Sequence, residues 1–290
     1  MTIQAFPAVM VLFAAAVSAQ TAQPVLEVTS QLGTKFYSLP DEKGVVNEAA
    51  KNLAADPKNA GLIMKLEAAQ VSVWQDREAV ITCTRALKLT PRSAEIYTER
   101  GHRELPLRDF KHALADLNRA VALDPKRMDA YYHLGLAHYF LGEFKEAGAA
   151  FRHAVELAPN LDERINSSNW LYASLRRAHQ DTEAAQALAQ ITPEMKNSAD
   201  HTLFYLNLVR FFQQRLPESE ALPPEPPAGN TDNETELRFD TVAYGVGNWH
   251  LYNNDAAKAQ EYFARVVKGH VWITWGFVGA EAEMVRARRR

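Results

Sequence analysis

Residues 128–161 read MDAYYHLGLAHYFLGEFKEAGAAFRHAVELAPNL, and the order of small, bulky and proline positions in this stretch decides the fold. Two apolar-periodic runs meet at Gly142, which predicts two helices joined by a tight turn. Gly135, Ala147 and Ala154 are small where two helices must approach closely, Phe151 is bulky, and Pro159 cannot continue a helix. Residues 94–127 place Gly101, Ala113, Leu117, Ala120 and Pro125 at the equivalent positions, and residues 60–93 place Leu66 where Leu134 stands, Glu67 in place of the glycine, and then Ala79, Cys83, Ala86 and Pro91. Prolines 57, 91, 125, 159 and 193 fall 34 residues apart. A fixed period of this size marks a repeat architecture, and a helix pair this short buries its faces only against a neighbouring pair. The chain is therefore expected to be an all-α solenoid with capping helices. Cys83 shares the position of Leu117 and Phe151, so it reads as a small buried apolar side chain.

Working outward, residues 20–57 form an N-terminal segment in which 41–55 read as a capping helix. The solenoid spans 58–214, with repeats at 60–93, 94–127 and 128–161, a degenerate pair at 162–195 slipped by about three residues, and an extra helix at 197–214. Five prolines between Pro217 and Pro227 and an acidic bias make 215–238 an extended, solvated linker. The pattern restarts in 239–290, where Gly247, Ala259 and Phe263 recur and Val271 replaces the closing proline. A last helix follows, with Trp272 and Trp275 packing and Arg286, Arg288, Arg289 and Arg290 facing water. At the other end, no charged side chain precedes Glu27, and the apolar run Ala5–Val17 leads into Val17-Ser18-Ala19-Gln20. Such a run suits a secretory signal cleaved between Ala19 and Gln20, and falls short of the ~20 residues of a spanning helix, so no transmembrane segment is expected. The chain is expected to be exported, to a bacterial periplasm or beyond.

Composition narrows the function classes. The 290 residues are 47% apolar and 23% charged with a net charge of −3, which gives nucleic acid no broad electrostatic surface. A single cysteine excludes a disulfide framework. His133 and His138 lie five apart on different helical faces, and the other histidines lack a ligand spacing, so no metal site is expected. No nucleophile elbow, phosphate loop or dinucleotide fingerprint occurs. The sequence thus carries no recognisable catalytic apparatus and implies no cofactor.

Leu134-Gly135, Ala147, Phe151 and Pro159 resemble the tetratricopeptide repeat signature. That resemblance implies a right-handed superhelix whose concave side is lined by the first helix of each unit. The family's inward-facing positions fall on Thr98 and His102, on Tyr132, Leu136 and Tyr139, and on Tyr244, Asn248 and Tyr252. It implies a protein or peptide partner gripped there, and it is compatible with a homodimer. The sites that hold a partner's terminal carboxylate in some members are Met64, Ala68, Glu99, Asp129 and His133 here, and two of these repel an anion. The layout also resembles the bacterial new lipoprotein I group of envelope adaptors, without a lipid-anchor cysteine. The expectation is a non-enzymatic scaffold or adaptor of the cell envelope. The alternative is an accessory protein that binds cell-wall glycan or peptide ligands to assist an envelope hydrolase.

Overall fold

The computed structural model describes residues 23–192, 194–195 and 203–289. Four helix pairs follow one another: α2 (Ala60–Ser72) with α3 (Asp76–Leu89), α4 (Ala94–Glu104) with α5 (Phe110–Leu123), α6 (Met128–Leu141) with α7 (Phe144–Leu157), and α8 (Leu161–Arg177) with α9 (Asp181–Ala189). In the first three pairs each second helix packs on the first helix of the next unit, as a solenoid requires. Side chains of Asn59, Ser93 and Asn160 accept the amide three residues on and start α2, α4 and α8. Within each pair the chain turns through one left-handed residue: Trp74, Arg108, Gly142 and then His179. The first three are 34 apart, and His179 comes three residues late. Helix α8, at 17 residues against 14 for α6, accommodates that three-residue shift. Pro193, which keeps the proline interval, lies outside the described residues.

One contact repeats in every regular unit. An added Cβ at Gly101 would sit 2.7 Å from Leu117, at Gly135 2.8 Å from the Phe151 ring, and at Gly247 2.9 Å from Phe263. These pairs are all 16 residues apart. In the first unit the equivalent positions hold Glu67 and Cys83, a larger first member and a smaller second one. Cys83, Leu117, Phe151 and Phe263 are fully buried, as expected for Cys83.

The ends depart from a plain solenoid. An antiparallel hairpin, β1 (Leu26–Thr29) and β2 (Lys35–Tyr37), precedes the capping helix, so the chain is not purely helical. The capping helix α1 (Val45–Ala55) begins later than residue 41, because the Asp41 carboxylate accepts the amides of Val45 and Val46 and starts it from outside. Beyond the fourth pair, α10 (Leu203–Phe212) packs on α8. The expected solvated linker 215–238 is instead a docked strap. Its short helix α11 (Glu218–Ala221) buries Ala221, and the Glu218 carboxylate accepts from His250 at 2.8 Å, from Lys258 and from Tyr262. Helix α12 (Asn233–Tyr252) starts inside that stretch, capped by Asp232. It pairs with α13 (Ala256–Val266), and α14 (Trp275–Arg288) closes the chain.

Closure joins the two ends. Phe36 of the hairpin stacks on Trp272 at 5.5 Å and meets Phe277 edge-on at 5.4 Å, while the Trp272 indole donates to the Tyr37 carbonyl at 3.0 Å. One apolar core consequently runs from Val28 to Ala280, with a smaller cluster around Ile63 and Cys83 beneath α1. The interior also holds carboxylates. Glu67 and Asp76 lie 3.6 and 3.9 Å from the Arg103 guanidinium. Burial nevertheless outweighs that cation and pushes both carboxyl groups up to about 7. Burial likewise raises Glu104, with the Asp116 charge adding to it, and Asp240 to about 8.

Two outcomes follow from this packing. Gly135→Ala forces a methyl group into the Phe151 ring, which is itself stacked on Trp170, and should cost about 1–3 kcal/mol in urea unfolding; an unchanged midpoint would contradict the contact. Four carboxyl groups with folded values above their unfolded values stabilise the protein most at acid pH and lose that contribution as pH rises through 7 to 8. The melting temperature should therefore fall between pH 5.5 and 8.5, and a flat or rising profile would count against these buried acids.

Candidate partner-binding face

The eight residues expected to line an open groove are mostly taken up by contacts within the chain, and the C-terminal helix α14 meets two of them, His102 through Trp275 and Tyr244 at Gly279. Leu136 and Tyr139 are fully buried, Thr98, Tyr132, Tyr244 and Asn248 nearly so, and only His102 and Tyr252 are half-buried. Thr98 spends its hydroxyl on the Ala94 carbonyl and accepts from Arg127. The His102 and His133 rings stack at 4.0 Å, and both lean on Trp275 at the start of α14. Asn248 donates to the Tyr139 hydroxyl, Tyr132 donates to Asn166 at 3.3 Å, and Tyr244 lies against Trp170. Tyr252 is covered by the Arg176 guanidinium, 4.6 Å from its ring. Such positions stay open only where no other part of the chain packs against them.

Helix α14 is seated by both shape and charge. Gly276 and Gly279 allow it to press on α12, since a Cβ would come within 2.3 Å of the Asp240 carbonyl oxygen at one and 2.6 Å of the Tyr244 ring at the other. Glu281 pairs with Arg108 at 2.7 Å and Glu283 with Arg177 at 2.5 Å, all four side chains almost wholly buried. Burial would raise the Glu283 carboxyl, but Arg177 and Arg286 overcome it and hold the group below its usual range. Burial would lower the Arg177 guanidinium, and Glu283 reverses that and raises it. Arg286, expected in water, instead donates to the Phe140 carbonyl at 2.9 Å and lies over the Phe144 ring. Arg288 and Arg289 are exposed, and Arg290 lies outside the described residues.

Burial also settles the histidines. It holds His133 down at about 3, helped by the Arg103 charge, and holds His102 well below its ordinary value, so the stacked rings are neutral. Burial pushes the Tyr132, Tyr244 and Tyr252 hydroxyls well above their usual range. Among the described residues no group of acids, histidines or cysteine has the arrangement of a metal site.

Two open spaces lie along the starts of α6 and α8. One cavity of about 440 Å³ is lined by Met128, Asp129, Tyr132, His133, Pro159 and Glu163. A second, of about 540 Å³, is lined by Asp162, Glu163, Asn166, Phe204, Tyr205, Glu234 and Leu237. Glu163 lines both, so the two cavities adjoin, and the pair is termed the trough. Only Tyr132 of the expected residues reaches it. Phe204, Tyr205 and Leu237 were missed because they come from α10 and α12, whose place against α8 follows from the register slip and the docked strap. No repeat position encodes that.

Residues 98–162 match the family model described as Tetratricopeptide repeat. Together with the recurring turn and the 16-residue contact, that match assigns the family. This chain is a tetratricopeptide repeat protein. Solved structures similar to the repeat protein include MamA, at 25% identity over 51% of this chain and 79% of that one, with a TM-score of 0.46. The Arabidopsis OM64 TPR domain is 31% identical over 39% of this chain and 93% of that one, with a TM-score of 0.37. YrrB, described as a TPR protein with an unusual peptide-binding site, is 17% identical over 84% of this chain and 100% of that one, at 0.47. No curated protein matches the chain. Among the described residues no helix is long and apolar enough to cross a membrane.

The seat of α14 is testable in the repeat protein. Arg108→Ala leaves Glu281 buried without its cation and should cost about 3–5 kcal/mol. Arg108→Met with Glu281→Leu should recover most of that loss, as read by urea unfolding. Equal losses in the single and double variants would contradict a coupled buried pair.

Proposed function

We propose that the protein is a non-enzymatic interaction scaffold of the cell envelope that holds a peptide or protein segment on its concave side, in the trough. The observation that carries this is the open space along the starts of α6 and α8, in an array whose expected groove positions are otherwise largely buried. Half-exposed Phe204 and Tyr205 and exposed Leu237 give a partner apolar surface to cover, and Asn166 offers an amide beside them. Residues 1–19 supply the export signal in this reading, with cleavage leaving Gln20 as the first residue. Non-catalytic action fits an array whose interior side chains are spent on packing and internal pairs.

The test places a photo-crosslinking residue at Leu237 or, on α3, at the exposed Ile81, in the native host. A discrete adduct from position 237 and none from 81 is expected. Equal labelling from both positions would contradict a trough-centred interaction. N-terminal sequencing of the same material should begin at Gln20, and an intact Met1 would end the export reading.

A further inference from the structure

Exposed apolar side chains are unevenly placed. Of the seven large ones exposed among the described residues, Leu237 lines the trough and Leu203 starts the neighbouring α10. The other five, Val25, Leu26, Tyr37, Ile81 and Leu89, lie on the hairpin and α3. Those two elements are joined, because the Arg77 amide donates to the Glu27 carboxylate at 2.9 Å and the Arg77 guanidinium donates to the Glu27 carbonyl. On the hairpin, Leu26 stands opposite Tyr37. Lys35 shares the exposed face of β2 with Tyr37, since side chains alternate along a strand and Phe36 between them is buried. The exposed residues of α3 are Arg77, Ile81, Arg85, Lys88 and Leu89, each of them a cation or a large aliphatic.

The neighbouring repeats show that this face is not a packing requirement. The position of Ile81 is held in the second and third units by Ala115 and Ala149, both exposed, so a unit does not need a branched aliphatic there. Ile81 is nonetheless 60% exposed, one turn from Arg77 and one turn from Arg85. The cations are equally unspent. Arg85 donates to the neutral Pro57 carbonyl, and neither Lys35 nor Lys88 is paired with a described acid. The acids closest along the chain are withdrawn, Glu27 being buried and Glu78 half-buried. Lys111 and Arg119, at the positions of Arg77 and Arg85 in the next unit, continue the basic row along α5.

Single aliphatics set between cations, with a tyrosine at the edge, suit an anionic bilayer: the cations meet lipid phosphates and the aliphatics enter the acyl boundary. A protein partner is met instead by a contiguous apolar centre with a polar rim. The chain outside the described residues supports the same occupant. The described part begins at Gln23, two residues before Val25, so the apolar run Ala5–Val17 joins the fold at this face. We propose that the hairpin and α3 form a membrane-docking face that holds the scaffold on an anionic phospholipid surface. The face is separate from the trough, and cleavage after Ala19 leaves it intact. Lipid, unlike a protein partner, gives no discrete adduct from position 81, so the two surfaces act side by side.

The protein purified from its native host is sedimented with vesicles of phosphatidylcholine alone and of phosphatidylcholine with about 30% phosphatidylglycerol. Binding should need the anionic lipid and weaken as salt rises from about 50 to about 300 mM. Arg85→Gln with Lys88→Gln should cost about thirtyfold, at about fivefold for each cation removed. Ile81→Ser should cost several-fold and Leu237→Ser nothing, with circular dichroism checking that every variant is folded. Cys83 is fully buried, so Ile81→Cys offers one accessible thiol for a bimane label, whose emission should shift to the blue on anionic vesicles. Equal binding to neutral and anionic vesicles, undiminished binding by the charge variant, or an unshifted bimane would overturn the membrane-docking face. If heparin captures the protein as tightly as the vesicles do and Ile81→Ser weakens neither, the face is a site for soluble polyanions and the bilayer proposal falls. Any of these failures leaves the trough reading standing.

Discussion

The organisation of this molecule depends on α14 lying in the concave side of its own repeats. A stack of helix pairs left open would expose one long inward face, and solenoids ordinarily need polar caps to end them. Here the C-terminal unit enters that face. Glu281 and Glu283 meet Arg108 and Arg177, contributed by the second and fourth units, and glycines at 276 and 279 let the helix reach α12. Buried pairs of this kind are weak sources of net stability but strong enforcers of register, because breaking one partner strands the other. The hairpin then completes the closure through Phe36, which meets Trp272 and Phe277, so the first and last described elements are neighbours.

Closure explains the mixture of chemistry in the interior. A concave surface evolved to face water can keep aromatic and charged residues, and when a helix covers it those residues need partners. Tyr139 finds Asn248, and His102 and His133 find each other and Trp275. Glu67, Asp76 and Asp240 find less, and burial drives them toward the neutral form. The open cavities along the starts of α6 and α8 are lined by no residue of α14.

Much of the fold was legible in the residues. The 34-residue interval located the turns, and the pairing of Gly135 with Phe151 recurred wherever the pattern did, including Gly247 with Phe263. Even the slip in the fourth unit could be read, because local helix periodicity records it. The site was much less legible. Repeat positions state which side chains point inward, and Leu136 and Tyr139 do, but no local signal says that a helix more than a hundred residues away fills the space. The strap failed for a related reason: proline content describes backbone stiffness, while docking through Glu218 depends on His250, Lys258 and Tyr262, brought close only by tertiary folding. The hairpin is seven strand residues held by distant aromatics, too short to stand out from its surroundings.

Hydrogen–deuterium exchange of the intact protein tests the central claim most directly. If α14 is a permanent part of the interior, the amides of residues 277–286 exchange as slowly as those of α6 and α12, and all three open together in a single cooperative event. Fast exchange of α14 while α6 remains protected would contradict it, and would return the concave face to the partner.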